Sequence, residues 1–508
     1  MMERSMSGAH AAHAWDTDPA FLPPTSSPGH MYIGMELPEP IGYDVCVVGG
    51  GVMGSAAAWH LAKAGRSVSL IEAHPLKGHA RGSSHGGSRI TRRTDADPLL
   101  AAMATAAMAE WRAVETAAAA AALPSRGEAL SAAPLYRRCG SLDMGDPLSA
   151  PGLAELIRTA REEAPPRGGA AFEILSGAQI RARWRGFAGV PLTWRGVFNR
   201  DGGVLAPDVA VPTLQALAVA CGATLRGNAR VVGVREAACA GRACEVLLAD
   251  GTRIGASRVV LAAGPWTAEL LRRAVSPPPR RAPELTIWEI TWAWYRLRPG
   301  ADAAAAAAAL PVWRAFWSKK SEAKTKSGAA RGGGSSVRMG LGCYGFPAHE
   351  RADAVKIAPH GHPTIGRFAS PSRRIGRPSK EYVKNVTSFA AEHFTSLLEA
   401  GADAGEELEP HTCLYSVTRD GHFIIDWLPP TRAAAKGEAP QRSAQRILVL
   451  AGFNGSGFKH APLIGKMAQE MVCAAEEGRC AEATRPPCFP AIEAFAIERP
   501  SLYAAASL

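Results

Sequence analysis

The 508-residue chain is predicted to adopt an α/β fold, on three observations. Short uninterrupted apolar runs, of the kind buried on both faces of a parallel sheet, recur near its start, middle and end, at 43–48, 259–263 and 447–450. The first runs into Gly49-Gly50-Gly51-Val52-Met53-Gly54, a helix-compatible stretch and a second apolar run ending at Glu72. Between them lies different material, above all 287–295, a long strand with large apolar side chains on both faces. The simplest topology is a Rossmann-like domain assembled from separated segments, with a mixed-sheet domain inserted twice.

The first unit is the most informative. Gly49-x-Gly51-x-x-Gly54 follows a strand and opens a helix, so its glycines permit a tight turn and let a pyrophosphate approach the backbone beside Val52 and Met53. The helix N-terminus adds amide donors and positive dipole. Helix 55–64 closes at Gly65, where a helix C′ glycine belongs, and strand 67–71 brings Glu72 to the place where a carboxylate accepts from ribose hydroxyls. This pattern alone does not separate NAD from FAD.

Residues 81–92, Arg-Gly-Ser-Ser-His-Gly-Gly-Ser-Arg-Ile-Thr-Arg, pack small side chains around Arg89 and Arg92. Small residues such as Ser83 and Ser84 let backbone amides reach a ligand, and arginine grips carboxylate bidentately. A solvated basic turn has the same composition. Farther on, strand 253–263 closes on Gly264-Pro265-Trp266, and strand 446–451 enters the glycine-rich 452–459 before a helix through Met471. The Ala-rich 112–131 and the basic 313–338 read as tolerated surface insertions.

Composition removes several classes. Hydrophobic residues at 47% and charged residues at 20% exclude wholesale disorder. The net charge of +11 has a local source: 313–338 holds seven basic residues and one acid, a solvated loop without the interleaved aromatics of a nucleic-acid groove. Ten cysteines without a CxxC pair argue against a disulfide framework and against a metal site, and favour a reducing compartment. No apolar run reaches the roughly 18 residues of a membrane span. Residues 1–40 lack a charged head followed by an apolar stretch and read as a flexible tail.

From Tyr43 to about Leu502 the chain resembles the D-amino-acid-oxidase superfamily of flavoproteins, in the branch of monomeric sarcosine oxidase and peroxisomal sarcosine/pipecolate oxidase. The resemblance rests on 49–72, 81–92, Asp201-Gly202-Gly203-Val204-Leu205, Ala262-Ala263-Gly264-Pro265-Trp266 and Tyr344-Gly345-Phe346-Pro347. It continues through Lys356 with His360, His411-Thr412-Cys413-Leu414-Tyr415, Phe423-Ile424-Ile425-Asp426 and 452–459. It implies an FAD-binding domain from 41–122, 200–283 and 409–480, and a substrate domain from 123–199 and 284–408 with 313–338 as its basic loop. Residues 481–508 form a C-terminal tail.

The resemblance also implies roles. Cofactor contacts fall to Gly49, Gly51, Val52, Met53, Gly54, Glu72, Ser83, Ser84, Arg89, Gly264, Trp266, Gly452, Gly455, Gly457 and Lys459, with Cys413 the thiolate joined covalently to the flavin. Arg92 and Lys459 match the pair holding a substrate carboxylate, although a lysine after a glycine-rich turn also suits a surface. Tyr344, Tyr415 and Ser456 match the cavity wall. Lys356 matches a cation that favours reaction with dioxygen, with Arg89 and His360 beside it in the catalytic group. Three positions depart from the family: Ser456 stands where relatives carry histidine, Asp95 where tyrosine is usual, and Arg419 where proline follows the cysteine block. The serine enlarges and rewets the pocket and the acid competes for the charge of Arg92, so a larger secondary or cyclic amino acid fits at least as well as sarcosine.

The expected reaction is oxidation of a secondary amino acid to an imine, with dioxygen reduced to hydrogen peroxide, by a monomer. A dehydrogenase of the same fold using another acceptor, a glycated-amino-acid oxidase and a flavoprotein kept for interaction are the alternatives. Ala506-Ser507-Leu508 is close to a peroxisomal address without its basic residue, leaving peroxisome or cytoplasm.

Overall fold

The computed structural model describes residues 41–503, apart from 77, 122–133, 163–171, 238, 280, 317–341, 361–365, 399–410, 430–444, 478–485, 487 and 490. The expected N-terminal tail, most of the basic loop and the terminal tripeptide 506–508 lie outside the described residues. The expected C-terminal tail is described over 491–503, where Phe495, Ile497 and Leu502 are buried, so this stretch packs against the domain.

The three apolar runs become neighbouring parallel strands. Strand β1 (Ile41–Val48) pairs in parallel with β2 (Val68–Ile71), and on its other edge with β6 (Arg253–Leu261), which pairs in parallel with β12 (Ile447–Ala451). Alternation along β1 divides its side chains between two layers. Val45 and Val47 join one core with helices α1 (Val52–Lys63), α2 (Pro98–Ala120), α3 (Pro207–Ala220) and α4 (Ala461–Glu476), while Cys46 and Val48 join a second on the opposite face. α1 starts three residues before the predicted helix and ends one before its predicted end, and Gly65 after it takes φ +78°, the left-handed conformation that made glycine the C′ signal.

Two sequence expectations change here. Residues 112–120 are no insertion: they complete α2, because Trp111, Val114 and Ala118 recur at helical spacing and are buried. Nor does the basic loop begin at Trp313. Residues 312–316 form β8 (Val312–Phe316), and Arg314, counted among the loop cations, is buried within it.

Beyond β3 (Arg89–Thr91) lies a second sheet, which faces the candidate site. β4 (Ser141–Gly145) pairs with β5 (Arg195–Asn199) and with β8, which pairs with β9 (Gly342–Gly345); β9 pairs with β10 (Ala354–His360), and β10 with the long predicted strand β7 (Thr286–Arg296). β11 (His411–Val417) pairs with β7 along its whole length. This part of segment 409–480 therefore joins the second sheet, not the first.

Directly opposed residues in a sheet point to one side. The register aligns Asp143, Arg314, Tyr344 and Ala358 in one row, Lys356 opposite Trp294, Cys413 opposite Ile290 and Tyr415 opposite Trp288. With period two, His360 and Lys356 share the side of Ala358. The alternate residues Leu142, Met144, Trp313, Ala315, Cys343, Val355 and Ile357 form the apolar core behind this face. One side of the sheet is thus grease, and the other holds Tyr344, Lys356, His360, Cys413 and Tyr415 of the residues singled out by sequence.

Candidate active site

A cleft of about 480 Å³ opens beside that polar face. Its wall includes Gly49, Gly51, Val52, Met53, Glu72, Ser83, Ser84, Arg89, Gly264, Trp266, Tyr415, Gly455 and Gly457. Two of the fingerprint glycines are sterically required: a Cβ on Gly54 would overlap the Gly49 carbonyl oxygen, and Gly49 takes φ +110° against the Ala262 carbonyl, while a Cβ on Gly51 would stand 3.3 Å from Ser84 Oγ. Ser84 Oγ accepts from Val52 N at 3.2 Å, joining the 81–92 block to the start of α1. Glu72 is buried; its carboxylate accepts from Gly50 N at 2.7 Å and His74 N at 2.9 Å, and His79 Nε2 lies 3.3 Å away. Burial alone would raise its pKa, but His79 and the two amides outweigh that and hold it below the ordinary carboxylate range.

The block from 83 to 89 folds over the cleft. Ser83 Oγ donates to Leu414 O in β11, and Arg89 donates to the carbonyls of Ser83 and Ser88, each at 2.7 Å. Arg89 Nη1 and Lys356 Nζ both stand 3.9 Å from the point a Cβ on Gly86 would occupy, so two cations converge on one turn. Cys413 is buried one residue before Leu414. Burial raises its thiol pKa, with Arg89 and Lys356 pulling it back. Gly455, at φ +69°, brings the backbone against the Tyr415 ring, where a side chain would collide, and Gly452 does the same against the Thr418 methyl.

Farther along the polar face lies a dry cluster of charge. Arg92 is 3.4 Å from Asp95, the residue that stands where the family usually has tyrosine. Arg314 Nε meets Asp143 Oδ1 at 2.5 Å, and Thr94 Oγ1 donates to Asp143. Lys459 Nζ donates to Ser456 O at 3.2 Å, and its own carbonyl accepts from Trp111 Nε1 at 2.9 Å, anchoring the 3₁₀ turn Gly457–His460 on α2. All five charged residues are buried. Among the described residues of this cluster, three cations face two carboxylates, so positive charge is in excess while Lys459 keeps its proton. Burial, then Arg92, pushes Lys459 down to about 7, and burial, then Arg314, pushes Arg92 down to about 10. His360 is driven to about 3 by burial and by Arg314, so it is a neutral imidazole at physiological pH. Arg92 Nη1 and His360 Nε2 are buried without hydrogen-bond partners among the described residues. Tyr344 and Tyr415 stand side by side, hydroxyl to hydroxyl at 3.3 Å.

The sequence reading named Arg92, Lys459, Tyr344, Tyr415, Lys356 and His360, and the structure puts them on or against this face. It missed Asp143, Arg314 and Glu350. The available signal was a charged residue inside an otherwise apolar strand, as in Leu142-Asp143-Met144 and Trp313-Arg314-Ala315.

Comparison with known proteins decides the family. The model of the FAD dependent oxidoreductase family, DAO, matches residues 44–471. The chain belongs to that family. It is 26% identical to "Probable sarcosine oxidase" of Arabidopsis thaliana over 445 residues, 87% of this chain and 91% of that protein. It is 28% identical over 429 residues to "N-methyl-L-tryptophan oxidase" of Yersinia pestis (strain Pestoides F), 84% of this chain and 94% of that protein. Among solved structures, the Tyr258Phe mutant of NikD, described as an unusual amino acid oxidase, superposes with a TM-score of 0.65 at 22% identity, covering 90% of this chain and 97% of that one. Glycine oxidase from Geobacillus kaustophilus gives 0.58 at 19%, covering 90% and 99%.

This FAD dependent oxidoreductase has the cleft that its cofactor needs. Glycines leave room for a pyrophosphate at the N-terminus of α1, Glu72 stands at the end of β2 where ribose hydroxyls would fall, and Trp266 and Tyr415 add aromatic rings to the wall. When bound, FAD supplies a two-electron acceptor. A carboxylate ligand of the charged cluster is expected to loosen as pH rises through about 7, because free Lys459 loses its proton there. Titrating propionate against the flavin spectrum from acid to alkaline pH checks this; affinity independent of pH would take Lys459 out of the carboxylate site.

Proposed function

We propose that the chain oxidises a secondary, N-alkyl amino acid to its imine, passing the electrons through FAD to dioxygen and releasing hydrogen peroxide. The observation that carries this reading is the buried cluster beside the cofactor cleft, where, among the described residues, Arg92, Arg314 and protonated Lys459 face the two carboxylates Asp95 and Asp143. A monocarboxylate neutralises it, and Arg92 Nη1 supplies a donor with no other partner among the described residues. Charge-assisted bonds of this kind orient a substrate while excluding water. Arg92 and Lys459 hold the carboxylate, Tyr344 and Tyr415 close one wall, and neutral His360, its ring edge-to-face with Tyr344, does not compete for the anion. An amine bound in its neutral form needs no separate base.

Lys356 provides a fixed cation next to Arg89, where developing negative charge on dioxygen is stabilised electrostatically. Both relatives bear the name of an oxidase of an N-methylated amino acid, which supports the substrate class. Asp95 competes for Arg92, and the small Ser456 admits a larger secondary or cyclic amino acid at least as well as sarcosine. Oxygen uptake and peroxide yield, with and without an artificial electron acceptor, test the acceptor: stoichiometric peroxide supports an oxidase, and turnover only with the added acceptor contradicts it.

Cys413 is the proposed covalent tether: it adjoins Leu414, whose carbonyl accepts from Ser83 of the cleft wall, and Arg89 and Lys356 offset part of the rise that burial imposes on its thiol. Acid-precipitated protein is then expected to stay yellow, and Cys413→Ala to release its colour to the supernatant. Colour lost equally from both proteins would remove the tether.

A further inference from the structure

Lys356 is walled by aromatic rings. Its ammonium lies 3.9 Å from the centroid of Trp292, 5.5 Å from Phe346 and 5.9 Å from Trp294. It is 3% exposed. Rings favour a cation over their faces, but a dry environment drives an amine toward its neutral form. A neutral amine has no charge to offer dioxygen.

Among the described residues, one carboxylate reaches this ammonium. Glu350, in the turn between β9 and β10, places Oε1 3.3 Å from Lys356 Nζ and accepts there from Ser88 Oγ at 2.5 Å. Its Oε2 accepts from Gly87 N at 3.0 Å, and Ser88 Oγ in turn accepts from Lys356 Nζ at 3.1 Å. Residue 87 has no room for a side chain: a Cβ there would come 2.5 Å from Glu350 Cγ. The carboxylate therefore clips the 86–88 turn to the lysine. The other titratable groups facing Lys356 are Arg89, Cys413, Asp208, His85 and His349, and of these Asp208 is already engaged by Gly86 N at 2.9 Å.

We infer that Glu350 is a positioning residue for the dioxygen half of the reaction, its carboxylate keeping Lys356 charged and fixed against the 86–88 turn. This rests on the role proposed above for Lys356. Burial would by itself raise Glu350, yet Lys356 and Ser88 hold it below the ordinary carboxylate range, and burial lowers Lys356 against the pull of Glu350; both directions describe one shared ion pair.

The test compares E350Q, E350D, K356M and the E350Q/K356M pair as holoenzymes. Substrate-reduced enzyme is mixed with oxygenated buffer across pH, and thermal unfolding is followed for each variant. In E350Q, reoxidation is expected to fall by at least about tenfold between acid and alkaline pH, at lower pH than any such fall in wild type, with E350D recovering most of the wild-type profile. The melting-temperature losses of E350Q and K356M are expected to be non-additive in the pair. A profile for E350Q that superimposes on wild type, faster reoxidation at every pH, or additive melting losses would overturn the inference. If K356M itself reoxidises like wild type, the dioxygen reading of Lys356 falls as well; if K356M is slow and E350Q unmoved, only the role of Glu350 falls.

Discussion

Replacing Arg92 by alanine is expected to lower the efficiency with which an amino acid reduces the flavin by about 30-fold to several thousand-fold, corresponding to roughly 2–5 kcal/mol. The size follows from what remains. Arg92 is buried against Asp95, so its removal leaves that carboxylate facing the incoming substrate carboxylate. Lys459 alone cannot balance both, the less so because its own proton is half lost near pH 7. Loss is expected chiefly in substrate affinity, with a smaller loss in the reduction rate as the amine end drifts from its place. Arg92→Lys keeps charge without the planar fork and should recover part of the effect. Rapid-mixing reduction without oxygen measures both components. Kinetics within about threefold of wild type would exclude Arg92 from the carboxylate site.

Asp143→Ala is expected to cost roughly 3–5 kcal/mol of stability, because it takes from the buried Arg314 guanidinium the carboxylate that it meets at 2.5 Å. Arg314 and Asp143 are both almost wholly inaccessible and meet at 2.5 Å, and Thr94 loses its acceptor as well. A loss of that size is a large fraction of the net stability of an ordinary domain, so low soluble yield or a much reduced melting temperature should follow. Replacing both partners by apolar residues, Asp143→Leu with Arg314→Met, is expected to restore most of the stability while changing the charge felt by Lys459. Melting curves of the single and paired variants decide the matter; a single variant as stable as wild type would mean that Arg314 finds another anion.

These two residues mark the edge of what sequence reasoning reached. The glycine fingerprint, the helix after it and Glu72 were legible because their geometry is local: a strand, a turn and a helix N-terminus follow within about thirty residues. The long strand over 287–295 was legible from its β-branched and aromatic run. Arg314 was hidden because its meaning is non-local. Counted with the lysines that follow, it looks like surface charge, and only the pairing of β8 with β4 sets it beside Asp143. Glu350 was hidden for the same reason: its partners Gly87 and Ser88 lie more than 250 residues away along the chain, and only the fold brings them to it together with Lys356. The alanine tract at 112–120 misled by composition, since weakly apolar residues conceal the helical spacing of Trp111, Val114 and Ala118.

The most direct measurement is anaerobic reduction of the purified yellow protein against a panel of sarcosine, pipecolate, larger N-methyl amino acids and glycated amino acids, each paired with its amide. The visible flavin band is expected to bleach with at least one secondary amino acid, to bleach far more slowly with the matching amide, and to return on admitting oxygen. Bleaching indifferent to the carboxylate, or none with any secondary amino acid, would contradict a cationic pocket that presents an amino acid to the cofactor.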